Sequence, residues 1–160
     1  MPYDVTIKEE PDELVASIRT RIRPERIGEV IPDAFERLMA CVGPVGYGDG
    51  MPGIVMHEIR EPEVADIEVF MPVATPFDPP EGVEVTTLLG GTMAAVVHTG
   101  PYDASRGAYA ALTAWIDEHD RQIMGPPREH YLNDPHVGGK ERAETEIEVP
   151  VAGGPGEPSR

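Results

Sequence analysis

The residues best suited to chemistry lie in one short run from Gly125 to Pro135, GPPREHYLNDP. Side chains on a β-strand alternate between faces, so Glu129, Tyr131 and Asn133 share one face and Arg128, His130 and Leu132 share the other. A carboxylate beside an aromatic ring in an apolar trough is costly unless paired. Such a group suits a cationic ligand, or proton transfer if desolvation raises its pKa. The alternative is that Glu129 pairs with a neighbouring arginine on a solvated sheet face. A second run, His98 to Asp103 (HTGPYD), joins a strand to a helix. Its Gly100-Pro101 corner projects Tyr102 at the helix entrance, with Asp103 as the N-cap. The Tyr102 hydroxyl then faces either a ligand or a loop carbonyl.

Other side chains supply candidate ligand-binding surface rather than reactive groups. Trp115 lies within a helix, as a core residue or a stacking surface. Met56, His57 and Tyr47 are the candidates from the first half of the chain. Met51, Phe70, Met71 and Met93 offer pliable apolar wall or simply core. The histidines at 57, 98, 119, 130 and 136 form no tight metal signature, so neither a metal site nor a cofactor is expected. There is no nucleophile elbow, P-loop or dinucleotide fingerprint. Cys41 falls on an apolar helix stripe and reads as a small buried hydrophobe.

These groups must be positioned by a duplicated framework. Asp66-Ile67-Glu68-Val69 with Pro72-Val73 returns as Glu146-Ile147-Glu148-Val149 with Pro150-Val151, about 80 residues later. Val15-Ala16-Ser17-Ile18 has a looser echo in Ala94-Ala95-Val96-Val97, about 79 residues on. Alternation predicts strands over 3–9, 13–23, 54–59 and 65–73, with a helix carrying Ile31, Phe35, Leu38 and Val42, entered through Pro32-Asp33 and ended by Gly43-Pro44. The glycine-rich segment 45–53 reads as a mobile connection, a possible lid. The second half repeats the order: strands over 83–89 and 92–99, a helix over about 104–123 with an inward stripe of Ala108, Leu112, Trp115 or Ile116, His119 and Ile123, and strands over 128–133 and 145–151. Gly125-Pro126-Pro127 is the expected helix stop.

The fold class is therefore α+β: a curved, mainly antiparallel eight-stranded sheet with two helices on one face. The trough is expected on the uncovered face, between the modules. One domain over 1–151 is predicted, with modules at about 1–74 and 82–151 and a disordered tail over 152–160. The 160 residues suffice for one core without disulfides. Thirteen Lys and Arg against 29 Asp and Glu, a net charge of −16, would repel a phosphate backbone, so direct nucleic-acid binding is not expected. The start shows no signal peptide and no segment reaches membrane-spanning length, so the expected location is the cytoplasm without membrane association.

Taken together, the segments Val15 to Arg19, Asp66 to Val73, His98 to Asp103, Arg128 to Leu132 with Asp134-Pro135, and Glu146 to Val151 resemble the GyrI-like small-molecule-binding domain. This duplicated module also serves as the effector-binding part of AraC-type and MerR-type multidrug-responsive regulators. The resemblance implies two strand-helix-strand-strand modules related by a pseudo-twofold axis, and a trough that binds lipophilic, often cationic, aromatic molecules. It places Glu129 as the central acid with Tyr131 and Tyr102 beside it, and implies a stand-alone member used for drug sequestration or sensing. Some stand-alone members are hydrolases that open cyclopropane rings of DNA-alkylating natural products. The resemblance then implies Glu129 orienting or activating water and Tyr131 assisting the carbonyl. Others inhibit gyrase, which implies a protein partner for the acidic surface.

Overall fold

A computed structural model describes residues 3–101, 105–133 and 142–153. Tyr102, Asp103, Asp134, Pro135, His136 and residues 154–160 therefore lie outside the described residues. The chain order is β1 (Thr6–Glu10), β2 (Glu13–Ile22), a 3-10 turn (Pro24–Arg26), α1 (Ile27–Val42), β3 (Gly53–Arg60), β4 (Val64–Pro72), β5 (Glu84–Leu88), β6 (Gly91–Thr99), α2 (Arg106–Glu118), β7 (Arg121–Ile123), β8 (Arg128–Tyr131) and β9 (Glu144–Gly153). The α+β class holds, with all described pairings antiparallel. The described residues form nine strands rather than eight. No described helix is long and apolar enough to cross a membrane.

The chain forms two compact units, one comprising residues 11–90 and the other joining residues up to 10 with those from 91 onward. The expected division into consecutive halves is thus shifted by one strand. β1 pairs with β6, Ile7 opposite Ala94 and Lys8 opposite Met93, and so completes the unit built from the second half.

In the 11–90 unit the strands run β3-β4-β2-β5, and α1 packs on β4 and β2. Val15, Val55 and Phe70 form one buried cluster with Leu88 against it. α1 starts earlier than expected, at Ile27, because the Pro24 turn leads into it; Pro32 lies inside the helix. Its buried stripe is Ala34, Leu38 and Val42, with Ile31 and Phe35 at the flank. Cys41 is only half-buried and donates its thiol to the Leu38 carbonyl at 3.4 Å. The glycine-rich connection is tied down rather than free. Gly48 N–H donates to Pro72 O, Ala74 N–H donates to Gly46 O, and Tyr47 bridges to Val73.

In the other unit the strands run β1-β6-β9-β8, with β7 also on β9. Ala94 and Val96 of β6 and Ile147, Val149 and Val151 of β9 form a core with Ala108, Leu112 and Ile116 of α2. Fully burying each of the larger aliphatic side chains contributes about 1.5–3 kcal/mol. α2 ends well before Gly125. His119 caps it, Asp120 turns the chain at φ 54°, and β7 follows, with Ile123 opposite Val151. Asp is one of the few residues other than Gly that accept this left-handed conformation. The expected inward stripe therefore holds for Ala108, Leu112 and Ile116, whereas His119 and Ile123 are exposed. β9 runs on through Ala152 and Gly153, two residues past the expected strand end.

The strand pairings also correct the internal alignment. Ile67 pairs with Thr20 and Ile147 with Val96, so Thr20 and Val96 are equivalent. The loose echo of Ala16 in Ala95 is displaced by an odd number of residues, which exchanges the two faces of the strand.

Candidate functional site

Register partners in an antiparallel pair point to the same face. Glu129 pairs with Ile147 and Tyr131 with Thr145, while His98 of β6 also pairs with Thr145. Ile147 belongs to the core beneath α2, so Glu129 and Tyr131 face α2. This corrects the expectation that they line the uncovered face. The parity of β8 against the apolar positions of β9 decides it.

Glu129 is buried, with 8% of its surface exposed. The Tyr109 hydroxyl, from α2, donates a short hydrogen bond to Glu129 Oε2, and the Tyr131 hydroxyl lies 3.4 Å from Oε1. Among the described residues no lysine or arginine pairs with this carboxylate. Burial pushes the Glu129 carboxyl above the usual carboxylate range, against the Tyr109 and Tyr131 hydrogen bonds and nearby His98, which pull it down. Burial, and then the adjacent carboxylate, push the Tyr109 phenol well above its ordinary value, so Tyr109 remains the donor.

A polar row adjoins the carboxylate. His98 is buried, its Nε2 lies 3.0 Å from the Pro101 carbonyl and its Nδ1 lies 3.0 Å from the Tyr3 hydroxyl. A carbonyl only accepts, so Nε2 carries the proton, and in the neutral ring Nδ1 accepts from Tyr3. Between His98 and Tyr131 the Thr145 hydroxyl is buried and has no hydrogen-bond partner among the described residues. The arrangement can therefore place a cation or a proton-accepting step at Glu129, with tyrosine rings beside it and an unsatisfied hydroxyl one strand row away.

The structure thus brings together Glu129 and Tyr131 from the sequence candidates and adds Tyr109, His98 and Thr145. Tyr109 flanks the buried stripe at Ala108 and Leu112, the positional signal that could have found it. Trp115 is engaged by other groups: its ring stacks on His119 with centroids 4.0 Å apart, and the Arg121 guanidinium lies 6.0 Å from its centroid. Met56, His57 and Tyr47 belong to the 11–90 unit. Met56 pairs with Ile67, the counterpart of the Glu129 to Ile147 pairing. His57 Nε2 lies 2.8 Å from Glu68 Oε1, and Tyr47 is exposed on its bridge to Val73.

The family model for the GyrI-like small molecule binding domain matches residues 3–152. The chain belongs to the GyrI-like family. Among solved structures, this GyrI-like chain is similar to the C-terminal domain of EcmrR, with 23% identity, a TM-score of 0.84, and coverage of 94% of this chain and 98% of that one. It spans 57% of the EcmrR chain in the EcmrR–DNA complex, where it covers 93% of itself at the same identity and TM-score. A hydrolase from Listeria innocua is similar at 14% identity and a TM-score of 0.73, covering 94% of this chain and 93% of that one. SAV2435, solved bound to tetraphenylphosphonium, is similar at 17% identity and a TM-score of 0.65, covering 96% and 95%. These likenesses establish the shared fold. No curated protein sequence matches the chain significantly.

Proposed function

We propose that this GyrI-like domain binds a lipophilic aromatic cation, using Glu129 as the counter-charge and Tyr109 and Tyr131 as its polar aromatic surround. One observation carries the reading: a buried carboxylate supported by two tyrosine hydroxyls and by no basic side chain among the described residues. Such a carboxylate is costly to ionise alone, and a delocalised organic cation repays that cost while losing little hydration of its own. The ligand in the SAV2435 structure, tetraphenylphosphonium, belongs to this chemical class. Sequestration or sensing follows from binding of this kind.

Calorimetric titration with tetraphenylphosphonium tests the proposal. Saturable binding is expected, with Glu129→Gln weakening it tenfold or more, about 1.4 kcal/mol. No saturable heat, or equal affinity in Glu129→Gln, defeats it.

The Tyr109–Glu129 hydrogen bond also favours a second reading, hydrolysis, in which Glu129 takes a proton from attacking water and a tyrosine hydroxyl polarises a carbonyl conjugated to a strained ring. Incubation with a cyclopropane-bearing spirocyclic substrate distinguishes the two readings. A water adduct detected by mass, lost in Glu129→Gln, supports turnover; an unchanged substrate that nevertheless binds supports the first reading.

A further inference from the structure

The face of β8 and β9 turned away from Glu129 carries a different constellation. His130 pairs in register with Glu146, and Glu148 follows two residues along β9 on the same face. One ligand atom from each of His130, Glu146 and Glu148 lies within 4.8 Å of the others. His130 is buried and Glu148 is fully buried, while Glu146 is partly exposed.

Glu148 is the anomaly in this group. Its Oε1 lies 2.9 Å from His130 Nε2, but its Oε2 is buried and has no hydrogen-bond partner among the described residues. Arg128, opposite Glu148 in register, does not bond this oxygen. A buried carboxylate oxygen left without a partner carries the desolvation cost of that oxygen with nothing to offset it.

The duplication supplies an internal comparison. Asp66 and Glu68 of β4 are the counterparts of Glu146 and Glu148, and His57 reaches Glu68 as His130 reaches Glu148. In the 11–90 unit, Arg19 grips Asp66 through two bonds of 3.0 Å and Arg21 adds a contact at 3.5 Å. Arg21 pairs with Asp66 and Arg19 with Glu68, whereas Val97 pairs with Glu146 and Ala95 with Glu148. The second unit therefore keeps the imidazole and both acids but replaces the two clamping arginines with Val97 and Ala95. Here the Lys8 amine divides itself between Glu146, at 2.9 Å, and Glu10, at 3.0 Å.

We propose that His130, Glu146 and Glu148 form a site for a divalent transition-metal ion of the zinc class. One imidazole and two carboxylates match the three-ligand sets of open zinc sites, leaving a position for water or an exogenous ligand. Metal–ligand bonds near 2.0–2.2 Å draw the three atoms together from their present separation. The ion satisfies the orphan Glu148 oxygen and displaces Lys8 from Glu146, and Lys8 keeps Glu10 as its partner. The partly exposed Glu146 gives solvent access. The site lies on the opposite face of β8 from Glu129 and does not depend on the ligand proposed there.

The test uses the untagged full-length protein, stripped with chelator, and Zn2+ or Co2+ alone. One equivalent of Zn2+ is expected to bind by calorimetry, and Co2+ is expected to give visible d–d absorption that Zn2+ abolishes. Glu146→Gln, at a partly exposed position, is expected to weaken binding at least tenfold while circular dichroism stays unchanged. Lys8→Met is expected to tighten it several-fold by removing the competing cation. A stoichiometric site that survives both Glu146→Gln and His130→Gln overturns the proposal, as does the absence of saturable binding at millimolar Zn2+.

Discussion

Tyr109 of α2 donates its hydroxyl to Glu129 of β8, so the helix and the strand are joined through the least solvated carboxylate of the candidate ligand site. The bond settles which side of the sheet Glu129 serves and supplies a donor where, among the described residues, no basic side chain pairs with the carboxylate. Tyr109→Phe leaves the ring packed against the α2 core but removes the donor. A hydrogen bond to a charged group contributes about 1.5–3 kcal/mol, so urea unfolding at neutral pH is expected to show a loss of that size. An unchanged midpoint would mean that Glu129 is solvated rather than held by Tyr109.

Glu129 also ties stability to function. Its folded pKa is raised above the unfolded value near 4.3, so the associated stability is complete at lower pH and is lost as pH rises through the raised value. Glu129→Gln retains an acceptor for Tyr109 without the charge. The variant is expected to melt above the parent at neutral pH while losing affinity for tetraphenylphosphonium, and the difference in melting should shrink toward pH of about 4. A variant less stable than the parent at every pH would contradict this.

Asp66 behaves in the opposite sense. The Arg19 hydrogen bonds hold its carboxyl below the usual range despite the opposing effect of burial. The associated stability is present above the unfolded pKa, about 3.9, and is lost as pH falls through the depressed folded value. Arg19→Gln is therefore expected to lower the melting temperature at neutral pH, with the gap to the parent closing in strong acid. Parallel melting profiles over the whole range would show that Arg19 contributes nothing through Asp66.

Much of this arrangement was legible in the sequence because it rests on short periods. Alternation located the strands, and the period of two placed Glu129 and Tyr131 on one face. The sequence could not say which face α2 covers, because that depends on pairing β8 with Ile147 and Thr145, across a segment of more than a dozen residues. Tyr109 was missed for the same reason: its partner lies on another element. β1 was assigned to the wrong unit because it is adjacent in sequence to β2 but pairs with β6. Gly125-Pro126-Pro127 was the stronger helix-stop signal in composition, yet Asp120 turned the chain first. The His130 and Glu148 pair was hidden because metal-ligand spacing is recognisable only when ligands are close in sequence, whereas these meet across two strands.

That turn is itself testable. Asp120 adopts φ 54°, where an L residue without a short polar side chain is strained by about 1–2 kcal/mol. Asp120→Ala is expected to destabilise the domain by about that amount, and Asp120→Gly far less. Amide exchange at Ile123, in β7, should accelerate in the alanine variant, because β7 pairs with β9 only if the chain reverses at this point. Equal stability of the two variants would show that the turn is set by β7 pairing and not by the conformation of Asp120.

Trp115 separates a local ligand site from a general aromatic wall. Its ring is stacked on His119, faces Arg121 and packs against the α2 core, so a ligand gains little from it without displacing those partners. Trp115→Phe is expected to keep tetraphenylphosphonium affinity within about twofold, whereas Tyr131→Ala, which removes a ring on the Glu129 face, is expected to weaken it by about fivefold to tenfold, as loss of one aromatic contact of 1–1.5 kcal/mol requires. If the two variants exchange places, with Trp115→Phe the more damaging, the cation is held against α2 near His119 and Glu129 is not its counter-charge.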